Sequence, residues 1–158
     1  VEENLRMAKP DATKEEMEAV LQKVNLLGFL QTQNGLQTEL LEKAGNLSGG
    51  QCQRLVIARA LLRSDSAVYI FDEAASNIDV ESEELIMNVI HELAKTKTVL
   101  LISHRLANVV QSDQIYFLKN GTICERGTHA ELMEQNGAYR HLYDSQMVLE
   151  NYGKQGNA

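Results

Sequence analysis

The sequence predicts an α/β fold in which two strands of a parallel sheet are joined by a helix. Two apolar runs have the length of buried strands, Ala67–Phe71 and Thr98–Ile102. Between them, apolar residues recur at the spacing of one helix face, at Leu85, Ile86, Val89, Ile90 and Leu93. The order strand, helix, strand indicates a right-handed parallel crossover. We therefore expect the first strand to be buried on both faces, with the second buried beside it.

Two helices are predicted before the sheet. Thr13 and Glu16 have the spacing of a capping box, and the apolar residues that follow predict a helix from about Lys14 to Asn25. A loop rich in Gly and Asn follows, from Leu40 to Gly50. The stripe of the next helix is formed by Leu55, Ala58, Leu61 and Leu62, and Ser48 is its expected N-cap.

A hairpin and two helices are predicted after the sheet. Apolar residues flank the turn Lys119–Thr122, which contains Asn120-Gly121, so the segment from Ile115 to Arg126 is expected to form two antiparallel strands. Thr128 and Glu131 form the capping box of the next helix. The last helix is expected from about Ala138 to Leu149, and the tail from Gly153 is expected to be loose.

Composition narrows the class of protein. The chain has 158 residues, 44% of them hydrophobic and 23% charged, as in an ordinary globular domain, and its net charge of -7 makes nucleic acid a poor partner. Cys52 and Cys124 have no neighbouring cysteine or histidine ligands, which favours two reduced packing residues. No apolar run approaches the ~18 residues of a membrane span. Because the chain begins at Val1, we expect its natural start to lie upstream.

A possible phosphate site lies at the start of the second helix. Leu47-Ser48-Gly49-Gly50-Gln51 places two glycines in the first turn, where no Cβ blocks a ligand and the backbone amides and helix dipole favour an anion. A plain helix cap that contains glycine is the alternative, and these five residues leave it open.

Polar side chains follow both predicted strands. Asp72 and Glu73 end the first run, and His104 comes two residues after the second. Since parallel neighbours end at one edge of a sheet, we expect these three residues to gather there. An aspartate can hold the water shell of Mg²⁺, a glutamate can activate water, and a histidine can contact a phosphate. The alternative is that Asp72-Glu73 merely begins a solvated loop.

Four motifs, in order along the chain, resemble those of the ABC transporter ATP-binding cassette. Leu47–Gln51 resembles the signature, Val68–Glu73 the Walker B strand, Ser76–Asp79 the D-loop, and His104 the switch histidine. Val1–Leu5 is similar to the segment after the Q-loop of exporters, and Gly121–Leu132 with Gly137–Tyr139 is similar to their C-terminus. Departures are small: Ala75 stands where threonine is usual, Cys52 where arginine is common, and Leu41 and Ala44 replace glycines of the loop before the signature.

The resemblance implies a partial P-loop NTPase (RecA-like) sheet with an α-helical subdomain that carries the signature. It places the helical subdomain at residues 1–63, the core at 64–150 and a loose tail at 151–158. No Gly-x-x-x-x-Gly-Lys-Ser/Thr occurs in the sequence. The chain alone is therefore expected to be inactive. The strand that bears the phosphate loop in this fold would lie beside Thr98–Ile102, so we also expect the isolated chain to self-associate or to be marginally stable.

The resemblance also implies the site roles. Asp72 would position Mg²⁺ through water, Glu73 would be the catalytic base and His104 would contact the γ-phosphate of ATP. The residues Ser48, Gly49, Gly50, Gln51 and Asp79 would bind the nucleotide, the signature acting in the site of a second cassette and Asp79 linking the two sites.

The implied partners are a second cassette, identical or different, and the transmembrane domains of an exporter at the cytoplasmic face of the cell membrane. Two alternatives stay open at this point. One is a soluble ABC ATPase that acts in translation or DNA repair. The other is a truncated binding or regulatory module.

Overall fold

The structure is a computed structural model that describes the backbone of residues 1–155 and the side chains of residues 1–149. It divides into two compact units, Val1–Ile102 and Ser103–Ala158. The first contains the parallel strands and the helices around them, and the second contains the hairpin and the last helices.

Five α-helices and two parallel strands build the first unit. In chain order they are α1 Glu2–Arg6, α2 Lys14–Lys23, α3 Leu27–Gln31, α4 Gly49–Leu61, β1 Val68–Asp72, α5 Val80–Ala94 and β2 Thr98–Ile102. Short 3-10 turns lie at Gly35–Gln37 and Glu42–Ala44. The second lies in the predicted loop Leu40–Gly50, and the first lies in a segment for which no element was predicted. The sequence pattern did not reveal α1 and α3, because each has only five residues, too few to show a helical period.

The two longer helices before the sheet, α2 and α4, begin at the N-cap residues predicted from the sequence. Thr13 caps α2 and forms a complete capping box with Glu16. Ser48 caps α4, and its capping-box partner is Gln51. Both helix starts are confirmed, and α2 ends at Lys23, two residues before its predicted end.

The predicted strand, helix, strand unit is confirmed as a parallel pair. Val68 is opposite Thr98 and Asp72 is opposite Ile102, so the two strands end at the same level. Helix α5, which joins them, packs against β2 and α4. The register therefore places Asp72 at the edge formed by the carboxyl ends of the strands.

The expected burial of both strand faces is wrong for the described residues. Tyr69 and Phe71 lie in the core, but Val68 is 55% exposed and Ile70 is 65% exposed. Leu100 and Ile102 of β2 are likewise exposed, at 49% and 45%. The helices of the first unit cover one face of the pair, so apolar residues that alternate along each strand are divided between core and surface.

The core of the first unit joins the helices to the inner face of the sheet. Its fully buried members include Leu5, Met17, Leu21, Leu26, Leu30, Ile86 and Ile90. Burying one such side chain contributes about 1.5–3 kcal/mol. This core fixes α4 and α5 against each other, and with them the segments that begin each helix.

The second unit is a hairpin followed by two helices. Strands β3 Ile115–Lys119 and β4 Thr122–Gly127 are antiparallel, as predicted, with a bulge between Phe117 and Leu118. Asn120 and Gly121 have positive φ values of 51° and 76°, the conformation that a two-residue hairpin turn requires.

The C-terminal helices follow directly. Helix α6 spans His129–Gln135 with the predicted capping box of Thr128 and Glu131, and α7 spans Ala138–Gln155. Residues 151–155 are therefore helical where a loose tail was expected, and residues 156–158 lie outside the described part of the chain. In the part of the chain that the structure describes, no helix combines the length and apolar character needed to span a membrane.

Candidate nucleotide site

The start of α4 presents Ser48 and Gly49 to solvent, whereas Gly50 is buried. The Gln51 amide donates to Ser48 Oγ at 3.2 Å, and the Ser48 amide donates to Gln51 Oε1 at 2.9 Å. The first amides of a helix have no acceptor within the helix, so those of Gly49 and Gly50 can serve an anion. The Gln51 side chain acts here as a helix cap.

Packing against Ser82 requires a glycine at position 50. A Cβ at this position would lie 2.2 Å from Ser82 Oγ and 2.6 Å from Ser82 Cβ, closer than atoms can approach. At Gly49 the nearest atoms would be 3.9 Å away, the Asn77 carbonyl oxygen and Ile78 Cγ2. The signature thus lies directly against the segment that resembles the D-loop, a contact that the sequence did not reveal.

Asp79 caps α5 from the other side of this contact. Its Oδ1 accepts a hydrogen bond from the Ser82 amide at 2.8 Å. That bond lowers the pKa of Asp79 below its ordinary value. The carboxylate is therefore charged at neutral pH and held at the N-terminus of the helix, beside the start of α4. Ser82 follows Asp79 at capping spacing, so sequence could have shown the cap.

Asp72 and Glu73 lie at the carboxyl end of β1, and both are exposed. The Glu73 amide donates to the Ile102 carbonyl at 3.0 Å, which extends the pairing of β1 with β2 by one residue. Glu73 has φ 48°, a left-handed conformation that non-glycine residues seldom adopt. Such conformations persist where the surroundings hold them, and they are frequent at functional sites.

His104 is the second residue of the second unit, two residues after β2 ends, and it is exposed. Its carbonyl accepts a hydrogen bond from Gln146 Nε2 of α7 at 2.7 Å. The other histidine of note, His129, pairs through Nδ1 with the buried Tyr139 hydroxyl at 2.8 Å. The His129 ring also packs edge-on against the Tyr139 ring, so this histidine contributes to the packing of the second unit.

The carboxylate of Asp72 is a suitable ligand for Mg²⁺ that is bound together with a nucleotide. Among the described residues, no group of three or more His, Cys, Asp or Glu side chains could hold a metal ion alone. Mg²⁺ usually takes one or two carboxylates and completes its shell with water and phosphate oxygens. A single exposed carboxylate at a strand end, such as that of Asp72, fits this pattern.

Comparisons with known proteins agree with the motifs. Residues 1–76 match the family model described as ABC transporter. An uncharacterized ABC transporter ATP-binding protein of Haemophilus influenzae is 51% identical over 156 residues, which are 99% of this chain and 28% of that protein. The chain belongs to the ABC transporter family.

Other ABC transporter proteins resemble the chain over most of its length. An ATP-dependent lipid A-core flippase of Mannheimia succiniciproducens is 46% identical over 88% of the chain and 24% of the flippase. A putative multidrug export ATP-binding/permease protein of Staphylococcus aureus is 42% identical over 92% of the chain and 25% of its own length. The chain therefore spans about a quarter of the length of these relatives.

A solved ABC structure shows the fold. A bacterial Atm1-family ABC exporter with ATP bound matches 92% of the chain and 25% of the exporter, with a TM-score of 0.83 and 30% sequence identity. The predicted α/β P-loop NTPase class with a parallel sheet is confirmed by this match. Neither the boundary predicted at residues 63 and 64 nor the roles of the individual site residues are tested by it, and they stay predictions.

Proposed function

We propose that the chain is the C-terminal part of the ATP-hydrolysing motor domain of an ABC exporter. The observation that carries this proposal is the pairing of Glu73 with Ile102, which puts two adjacent acidic residues at the carboxyl ends of two parallel strands. Ligands of open parallel sheets commonly bind at that edge, which supports the proposal. The relatives named as a lipid A-core flippase and as a putative multidrug export protein, together with the ATP-bound exporter of similar fold, support an exporter over a soluble ABC ATPase.

The two carboxylates divide the chemistry. Asp72 ends β1 in register with Ile102 and would hold Mg²⁺ through its water shell. Mg²⁺, when bound with ATP, would neutralise charge on the phosphates. Glu73, one residue beyond the strand, would accept a proton from the water that attacks the γ-phosphate. His104 would donate a hydrogen bond to the γ-phosphate.

The signature would serve a second site. The exposed Ser48 hydroxyl and the amides of Gly49 and Gly50 would contact the γ-phosphate of ATP held by a partner cassette, with Gln51 keeping the helix start in shape. Asp79, which caps α5 beside that helix start, would transmit changes between the two sites. Closing two cassettes on ATP would drive attached transmembrane domains, and hydrolysis would reopen them.

The partners follow from this arrangement. They are a second cassette, the transmembrane domains of the same transporter, ATP and Mg²⁺, with the motor at the cytoplasmic face of the membrane. The sequence contains no phosphate-cradling loop. We propose that this chain alone therefore completes neither site and hydrolyses ATP no faster than background.

Glu73→Gln tests the role of the base. In the intact transporter this substitution keeps the shape of the side chain but removes the proton acceptor, so kcat for ATP hydrolysis should fall by about 10²-fold or more. ATP binding should persist. Turnover and nucleotide binding are measured in the same preparation, with the isolated chain as a second sample that should show no turnover.

Glu84→Gln is the matched control, because Glu84 is an exposed glutamate on α5. It should leave turnover within about 2-fold of the wild type, as expected for a substitution at an exposed position with no proposed role in the site. Near-normal turnover of Glu73→Gln would contradict the base assignment. Turnover by the isolated chain that Glu73→Gln abolishes would contradict the proposed incompleteness of the site.

A further inference from the structure

One glutamine of α7 holds the backbone on both sides of Arg105. Gln146 Nε2 donates to the His104 carbonyl at 2.7 Å, and the Leu106 amide donates to Gln146 Oε1 at 2.9 Å. The side-chain amide thus makes the two bonds that a paired backbone would make, one as donor and one as acceptor. The two partners fix its orientation, since only its oxygen can accept from an amide.

The segment held by Gln146 is also constrained from within. Ser103 Oγ accepts from the Arg105 amide at 3.0 Å and donates to the Arg105 carbonyl at 3.1 Å. The 3-10 turn that follows, Leu106–Val109, packs against α7, and both of its end residues are buried. Residue 104 therefore has fixed backbone on either side of it.

A fixed backbone limits the motion of the His104 imidazole to rotation about its two side-chain torsions. This matters because a contact with a reacting group depends on tenths of an ångström, and a misplacement of 1 Å can cost about 10²-fold in rate. We propose that Gln146 is a positioning residue that sets the place of His104 for ATP hydrolysis. This proposal rests on the proposed function, in which His104 contacts the γ-phosphate.

Kinetic measurements can distinguish a positioning role of Gln146 from a role that only stabilises the second unit. Loss of a stabilising bond lowers the amount of folded protein and leaves the remaining molecules with normal kinetics. Loss of a positioning bond lowers kcat of the folded protein with little change in the affinity for ATP. This effect requires the His104 side chain, so it should disappear in a His104→Ala background. A double-substitution cycle measures this dependence directly.

The test uses the intact transporter with Gln146→Met, His104→Ala and both together. Methionine has similar length and fills the same space without donor or acceptor. Gln135→Met, at the exposed C-terminal end of α6, is the matched control for the same chemical change. kcat and KM for ATP are measured for each, together with hydrogen exchange of the peptide that contains the Leu106 amide.

We expect Gln146→Met to lower kcat by about 10-fold, with KM within about 2-fold and faster exchange at Leu106. The double variant should be no slower than His104→Ala, and Gln135→Met should match the wild type. Gln146→Glu, which can still accept from Leu106 but cannot donate to His104, should also lower kcat and serves if the methionine variant folds poorly.

Three results would overturn the proposal, and the last can be told apart from the first two. If His104→Ala is slow but Gln146→Met is normal, or if the Gln146→Met factor is unchanged in the His104→Ala background, Gln146 does not position His104. If His104→Ala itself hydrolyses ATP at the normal rate, the assigned role of His104 is wrong, and the positioning role falls with it. If His104→Ala is normal, the Glu73→Gln result still decides the rest of the proposed function.

Discussion

Single residues in the left-handed region of backbone space lie at two places that matter for this chain. Glu73 has φ 48°, and Ala44, in the loop before the signature, has φ 52°. A non-glycine residue pays about 1 kcal/mol or more for such a conformation. At Glu73 the Ile102 carbonyl holds the amide, whereas at Ala44 the strain coincides with a position where the related exporters are expected to have glycine.

Ala44→Gly should therefore stabilise the chain. Glycine adopts φ 52° without strain, and this gain exceeds the entropy that glycine loses on folding, so the free energy of unfolding should rise by about 0.5–1 kcal/mol. Urea unfolding followed by circular dichroism measures the change. Ala60→Gly within α4 is the control and should lower the free energy of unfolding by a similar amount. A loss of stability in both variants would show that residue 44 is not strained.

At the residue scale, sequence reasoning identified which side chains could do chemistry but not what holds them. Asp72, Glu73 and Ser48 follow from their places at a strand end and a helix start. Gln146 is 42 residues beyond His104 in the chain, and nothing in the residues around it indicates that it bonds the backbone there. Contacts between distant segments depend on tertiary packing, which a local pattern does not encode.

At the scale of elements, the N-termini of α4 and α5 are packed against each other through a glycine. Gly50 leaves room for Ser82, a residue that is 5% exposed. The glycine pair of the signature thus has two separate uses. Gly49 is exposed and keeps the helix start accessible, whereas Gly50 allows two helices to approach.

Gly50→Ala should lower the free energy of unfolding by about 1–3 kcal/mol, because the added methyl group would overlap Ser82 Cβ. Urea unfolding of the single variants and of the double variant with Ser82→Gly measures the coupling. Ser82→Gly removes the overlapping atoms and should recover part of the loss.

Gly49→Ala is the matched control for that experiment. Its added methyl group would have no neighbour closer than 3.9 Å, so the variant should be neutral or more stable by up to about 1 kcal/mol. If Gly49→Ala and Gly50→Ala were equally destabilising, the effect would come from the helix start and not from the contact with Ser82.

Element boundaries were predicted well where a cap or turn has its own chemistry. The starts of α2, α4 and α6 and the hairpin turn all carry such signals. The start of α7 has a different device: the amides of Ala138 and Tyr139 donate to the carboxylate of Glu125, at 2.6 and 3.1 Å. That cap comes from β4, so only the folded unit shows it.

At the scale of the whole molecule, the parallel pair has one covered face and one exposed face. The outer sheet face, Val68, Ile70, Leu100 and Ile102, is apolar and solvent-exposed. The sequence predicted the strands and their parallel order from their apolar runs. It could not show that these runs are covered on one side only, because an apolar run indicates burial without specifying which neighbour provides it.

Each strand of the pair also has an edge without a partner strand in the described residues, since the sheet contains only β1 and β2. An unpaired edge beside exposed apolar side chains is a template for another strand. We therefore expect the isolated chain to self-associate at micromolar to millimolar concentration, the range in which exposed edges lead to association. Light scattering across a concentration series measures the mass of the particles.

Leu100→Lys separates association through this sheet from association elsewhere. A lysine on the outer sheet face would meet the same charge on a second copy or lose apolar contact, so the concentration at which association begins should rise by about 10-fold, equivalent to about 1.4 kcal/mol. Leu118→Lys is the control, because Leu118 is 64% exposed but lies on the hairpin. It should leave the association of the chain unchanged. A chain that stays monomeric throughout the series contradicts the prediction, and equal effects of the two lysines would place the contact outside the parallel sheet.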